Sequence, residues 1–259
     1  MNRTSAELKR LARENLVGHW GLMIGAVLLL SLIMFAVLIP FYFLFFISGG
    51  GYVQLGTYLV AALIVGIVSV IMQCGISRMQ IGFARNQETG IGMLFGEFVR
   101  RPDRYIVGIL IMIGVELLCI LPGTVCLSVG VAAELVPACV IGAVLYLAGT
   151  VLMVMFTFRF SLVFFLLIDN LQMGAVTAFR ESARWMNGNK GRLFYIYLSY
   201  IGWGILGMLS CGLGMLWISP YMNQTLVSFY LDVTGELDRG QWIEPENDSE
   251  KRYQEVEGY

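Results

Sequence analysis

"RESARWMNGNKGRLF", residues 180–194, holds four of the chain's 17 lysines and arginines, two glycines three positions apart, and the opening of an apolar run. The chain starts in the same order. "LKRLARENLVGHWGLMIG", residues 8–25, carries Lys9, Arg10 and Arg13, then Gly18 and Gly21, then apolar sequence. A basic stretch with helical apolar period, a glycine step and a long apolar run suit a helix lying along a membrane surface that turns into one crossing it.

Composition supports that reading. Of 259 residues, 58% are hydrophobic and 14% charged, with a mean hydropathy of +0.74. A water-soluble exterior of this size needs more charge. No formal charge occurs in the 63 residues between Glu14 and Arg78, nor in the 39 between Arg192 and Asp232. A crossing helix needs about 20 apolar residues. The apolar runs predict an all-α polytopic membrane helix bundle of about six transmembrane helices, near 20–47, 54–77, 105–121, 138–168, 193–210 and 213–231. The first run is too long for a cleaved signal, whose apolar part spans roughly 7–15 residues. The last pair depends on "SCGLG", Ser210 to Gly214, acting as a turn; one crossing plus an interfacial segment is the other count.

Basic residues set the orientation. Residues 1–20 carry four, 78–104 five and 169–192 four, whereas 48–53, 118–137 and 210–213 carry none. Lysine and arginine in short flanking loops stay on the cytoplasmic side, so both termini are expected inside. The integral part is expected to cover 1–231. Residues 232–259, with nine acids against three bases, read as an acidic, disordered cytoplasmic tail.

Each basic segment has an apolar stripe at helical spacing. The stripes are Leu8, Leu11, Ala12 and Leu16; Ile91, Leu94, Phe95, Phe98 and Val99; and Met173, Val176, Phe179, Ala183 and Met186. Thr4 and Glu7 stand at capping-box spacing. The expected lipid contacts on the opposite faces are Lys9, Arg10, Arg13, Arg100, Arg101, Arg180, Arg184 and Lys190, reaching anionic headgroups while the apolar faces enter the interface. The alternative is that these helices pack on protein. The chain bends into its spans at Gly18–Gly21 and Gly188–Gly191, and Pro102 replaces the glycines in the middle. Onsets near Thr4, Thr89 and Asn170 suggest three units, roughly 1–86, 87–168 and 169–231, each a surface helix followed by two spans.

"FRFSLVFFLLIDN" (158–170), "AFRESARWMNGNKGRLF" (178–194) and "YIGWGILGMLSCGLGMLWISPYMNQTLVSFY" (200–230) resemble an uncharacterised family of bacterial integral membrane proteins, domain of unknown function 975. "ELKRLARENLVGHWG" (7–21) resembles the start of the same family. More distantly, Arg159, Ser182 and Gly188 are similar to a pattern in the membrane domain of some glycerophosphodiester phosphodiesterases, without their hydrolase domain. The resemblance implies a multi-pass protein of a bacterial cell membrane and supplies no catalytic residues.

Chemistry-bearing motifs are sparse. The one histidine, His19, sits beside Trp20 at a span edge, and "GNKG" lacks the length and Lys-Ser/Thr pair of a phosphate loop. No cofactor, metal, catalytic set or nucleic-acid partner is expected. Charges inside spans are more informative. Glu116 and Arg159 fall at similar estimated depth and either pair within the bundle or separate, with Arg159 snorkelling inward. Ser69, Gln73 and Ser77, and Asn223, Gln224 and Ser228, line helices as either packing contacts or a solute path. Cys119, Cys126, Cys139 and Cys211 near the outer face either pair or fill space. Gly21–Gly25, Ala62–Gly66 and Ala138–Gly142 have the spacing of close helix contacts. Two functions fit: a non-enzymatic membrane protein that engages anionic lipid or supports a membrane-protein partner, or a small-solute or lipid transporter built around Glu116 and Arg159.

Overall fold

The computed structural model describes residues 3–47, 49 and 51–240. Among them are eleven helices and no strand: α1 (Ser5–Leu16), α2 (Trp20–Ile47), α3 (Tyr52–Ala84), α4 (Met93–Val99), α5 (Pro102–Ala132), α6 (Val136–Arg159), α7 (Val163–Asp169), α8 (Ala175–Trp185), α9 (Lys190–Leu209), α10 (Met215–Val233) and α11 (Glu236–Gly240). The all-α polytopic bundle is borne out. Five stretches are long and apolar enough to cross a membrane: α2, α3, α5, α6 continued through α7, and α9. α10 is helical throughout but is not among them. Its second half buries Gln224, Thr225, Ser228 and Asp232 against protein, and those polar groups lower its hydropathy.

A short helix followed by a long pair occurs three times in the chain. In the first and third units the junctions match bond for bond at a spacing of 170 residues. Val17 N–H bonds Glu14 C=O as Asn187 bonds Arg184; His19 bonds Leu16 as Asn189 bonds Met186; Met23 bonds His19 as Leu193 bonds Asn189. Gly18 and Gly188 hold φ of +82° and +84°, values an L side chain resists. The burial pattern follows the same spacing: Leu8, Ala12, Leu16, Met23 and Ala26 are buried, as are Ala178, Ser182, Met186, Leu193 and Ile196. The third short helix therefore starts after Gly174, a few residues later than the expected onset near Asn170. In the middle unit the bend falls at Arg101, φ +104°, with Pro102 opening the next helix.

The three units close on one another. α4 packs on α3, α8 on α7, and α1, the first helix, on α10, the last long one. The ends of α3, α7 and α10 meet at the centre: α3 touches both others, and Phe165 of α7 stacks on Tyr230 of α10 at 5.5 Å. Buried apolar residues concentrate here, at the basic end of the bundle, and leave the far ends of the long helices with exposed leucine, valine and phenylalanine. Such a surface suits hydrocarbon rather than water.

At the opposite end, the loop expected over 118–137 is mostly helix. α5 runs through Pro122 to Ala132, and only residues 133–135 turn. Glycines make this possible. A Cβ on Gly123 would lie 2.5 Å from Tyr146 N, on Gly130 2.7 Å from Cys139 N, on Gly142 2.5 Å from Leu127 N, and on Gly149 1.9 Å from Cys119 O. Backbone meets backbone along a seven-residue spacing on both helices, the close approach that small residues permit in membranes. Of the three small-residue pairs picked from sequence, only Ala138–Gly142 lies on this seam. Gly21, Gly25 and Gly66 face nothing within 4 Å.

Candidate functional site

The short helices bring the basic residues to one end of the molecule. α1 begins with the expected capping box: Thr4 Oγ1 accepts from Glu7 N–H, and Glu7 Oε2 accepts from Thr4 N–H at 2.7 Å. That backbone N–H holds the Glu7 carboxyl below its ordinary pKa. The apolar face of α1 does not meet lipid, however. Leu8, Ala12 and Leu16 are buried on the protein, because α1 must cover α10 for the ring to close. α8 corrects its stripe in the same way: Ala178, Phe179, Ser182 and Met186 are buried, whereas Val176 points outward. Ser182 belongs to the buried side because its hydroxyl accepts from Leu162 N–H and donates to Arg159 C=O across the α6–α7 break.

The expected lipid contacts line the outside of these packed helices. Arg10, Arg13, Arg100, Arg101, Arg180 and Arg184 are exposed, and Lys9 and Lys190 are half-buried. Arg10, Arg101 and Arg184, all largely exposed themselves, have acidic neighbours at 3.6, 3.4 and 4.0 Å, pairs worth little in water. Lys9 lies over the Tyr200 ring at 4.4 Å, and burial lowers its pKa. Large apolar side chains stand exposed beside these charges: Val17 after α1, Phe95 and Val99 on α4, and Val176 and Trp185 on α8.

A second set of arginines turns inward. Arg85, at the end of α3, donates to Asp169 at 2.6 and 2.8 Å and to Glu236 at 2.7 and 2.8 Å, and Tyr230 donates to Asp169 at 2.8 Å. One group from the end of each unit thus joins a single cluster, and the two carboxylates raise the Arg85 pKa. Asp232, whose side chain is fully buried, takes Arg3 at 3.0 Å and also Arg192. Glu97 of α4 accepts from Arg78 at 2.7 Å and from Tyr105 at 2.6 Å. Gln80 and Gln224 tie α3 to α10 reciprocally: Gln80 donates to Pro220 C=O, and Gln224 donates to Gln80 C=O. Buried Arg104 donates to the Asn170 and Met173 carbonyls.

Residues 1–236 match the family described as "Protein of unknown function (DUF975)". The chain belongs to that family. The matched stretch contains every inward-facing cluster just described, through Glu236. No curated protein and no solved structure matches the chain.

In this DUF975 chain the inward clusters were not visible from sequence, where Arg78, Arg85 and Arg104 counted only as part of a basic loop. The one available signal was an acid closing each later unit, Asp169 and Asp232, without a local basic partner. Asp232 and Glu236 also move out of the expected tail, since residues 232–240 are helical or bonded to the core; residues 241–259 lie outside the described residues. Losing the Tyr105 hydroxyl leaves a buried carboxylate one donor short. Tyr105→Phe is expected to destabilise the protein by about 2 kcal/mol, read as a lower unfolding temperature in detergent.

Glu116 and Arg159 form no ion pair among the described residues. The glycine seam sets the α5–α6 register, with Gly149 opposite Cys119 and Gly142 opposite Leu127. Arg159 then stands level with residues near Ile109, about 10 Å along the axis from Glu116 at 1.5 Å per residue. Both are exposed, and Arg159 lies over the Phe160 ring at 5.9 Å. Of the polar stripes, Gln224 and Ser228 are spent on helix contacts, the latter donating to Gln224 C=O. Cys126 donates to Ala138 C=O, and Cys139 sits against Gly130, so both serve the α5–α6 seam.

Proposed function

We propose that the chain is a non-enzymatic multi-pass protein of a bacterial cell membrane, with its basic end in the cytoplasm. Its three short helices hold anionic lipid at the inner leaflet and so support a membrane partner. The observation that carries this reading is the division of the arginines. Arg3, Arg78 and Arg192 are committed to buried carboxylates and Arg85 to two partly exposed ones, while Arg10, Arg13, Arg100, Arg101, Arg180 and Arg184 are displayed beside exposed apolar side chains. Cations next to apolar groups at a membrane edge match the two layers of a lipid interface. The basic bias itself supports the cytoplasmic side.

The test uses the full chain in phosphatidylcholine vesicles with spin-labelled lipids as boundary probes. Labelled phosphatidylglycerol is expected to associate more tightly than labelled phosphatidylcholine. Replacing Arg180 and Arg184 together by glutamine is expected to cut that selectivity on the order of tenfold, since each basic side chain near an anionic surface is worth about 1 kcal/mol. A wild-type protein without selectivity, or a double variant that keeps it, would refute the reading.

A further inference from the structure

A cavity of about 180 Å³ lies between the end of α1, the start of α2 and the α9–α10 hairpin, lined by Arg13, Trp20, Trp203, Trp217, Ile218 and Tyr221. It exceeds the roughly 150 Å³ apolar cavity that accepts a benzene-sized guest. Its position is the seam where the first unit closes on the third. Although those units repeat at a spacing of 170, the places equivalent to Arg13 and Trp20 hold Ala183 and Lys190, so the internal repeat does not make a second copy.

Three properties of this cavity narrow its occupant. Its walls are almost wholly aromatic and aliphatic, with the Trp203 and Trp217 indoles 47% and 53% exposed. At its rim is the exposed guanidinium of Arg13, which has no acidic partner among the described residues, whereas Arg3, Arg78, Arg85 and Arg192 each have one. Its inner wall is fixed: Tyr221 donates to Lys9 C=O at 3.3 Å and meets Tyr200 edge-on at 5.6 Å, with the Lys9 ammonium over the same Tyr200 ring. Lys9 is one helical turn from Arg13 and adds a second positive charge to that side of α1. A soluble anion would leave the indoles uncovered, and a neutral lipid would leave Arg13 unanswered.

We propose that this cavity is a discrete anionic-phospholipid site, with the headgroup phosphate on Arg13 and an acyl chain seated between Trp203 and Trp217. It rests on the lipid reading above but names one site and one ligand class. Occupancy covers both indoles and ties α1 and α2 to the α9–α10 hairpin, so the lipid acts as a wedge holding the ring closed. Trp and Arg are suited to this pairing, one supplying an amphipathic ring at the interface and the other a fork for phosphate.

The test reads tryptophan emission. The full chain carrying Trp185→Phe and Trp242→Phe keeps only the three cavity indoles of the protein's five tryptophans. It is reconstituted in phosphatidylcholine vesicles with a minority of phosphatidylglycerol or phosphatidylcholine brominated in the acyl chain. Brominated phosphatidylglycerol is expected to quench with about fivefold higher apparent affinity, the preference one basic side chain confers. Arg13→Gln should make the two lipids equal, and Arg13→Lys should retain most of the preference. Equal quenching in the parent, or a preference that survives Arg13→Gln, overturns the site. Ile218→Phe, which narrows the slot while leaving Arg13 in place, is expected to weaken quenching by both lipids; unchanged quenching there also overturns it. The Arg180 and Arg184 variant separates the two proposals. If it leaves boundary selectivity intact while the indoles still prefer phosphatidylglycerol, the general reading fails and the cavity stands.

Discussion

Asp232→Ala is expected to lower stability by about 3 kcal/mol, or an unfolding temperature by about 6–12 °C for a chain of this size. The carboxylate is fully buried and takes both Arg3 and Arg192, whose side chains are only 14% and 20% exposed. Removing it takes the shared buried anion from two adjacent guanidinium groups, a larger loss than the attraction itself, although Arg3 keeps Asp238 at 3.1 Å. The site of the loss is as informative as its size. Arg3 stands just before the Thr4 cap of α1, and Asp232 lies in the last turn of α10, so this cluster clips the first helix to the last long one. Hydrogen exchange should rise in α1 and α10 well before it rises along α5 and α6. A uniform increase, or a change of stability under 1 kcal/mol, would remove the clip from the account of ring closure.

Gly149→Ala should be the most damaging single-methyl addition in the long helices. A Cβ there would meet the Cys119 carbonyl oxygen at 1.9 Å, and neither partner is a side chain that can swing away. The α5–α6 pair must separate, at a cost of about 2–3 kcal/mol for an overpacked contact. Gly21→Ala is the matched control. Gly21 is the second residue of α2, and an added Cβ meets nothing within 4 Å, so alanine should be neutral or stabilise by about 0.5 kcal/mol through helix propensity. Both effects are read from unfolding of the purified protein in one detergent. Opposite signs for the same substitution at two glycines test the seam directly; equal signs would count against the register that separates Glu116 from Arg159.

How much of this was legible beforehand depends on the range of the interaction. The junction at Gly18 and its counterpart at Gly188 were readable because the signal is local: a basic helical stripe, a residue free to take positive φ, then an apolar run. The Thr4–Glu7 box was readable for the same reason. The stripes of α1 and α8 were recognisable as amphipathic, but a stripe gives the same pattern whether it faces acyl chains or a neighbouring helix. Both media are apolar, and only the placement of α10 and α7 distinguishes them. The similar depth expected of Glu116 and Arg159 assumes straight helices meeting at equal height. The break at residues 160–162 and the glycine-set register removed that assumption.

Hydropathy and charge spacing along the chain were enough to specify an all-helical membrane bundle with its cations gathered at one end, because bilayer thickness and backbone hydrogen bonding leave few other solutions for such runs. Tertiary structure alone decided which arginines turn inward, which glycines touch backbone, and that α1 closes a ring on α10. Those outcomes depend on pairs that only folding brings together, from Gly149 with Cys119 to Arg3 with Asp232 and Gln80 with Gln224, and no local pattern of residues encodes the partner.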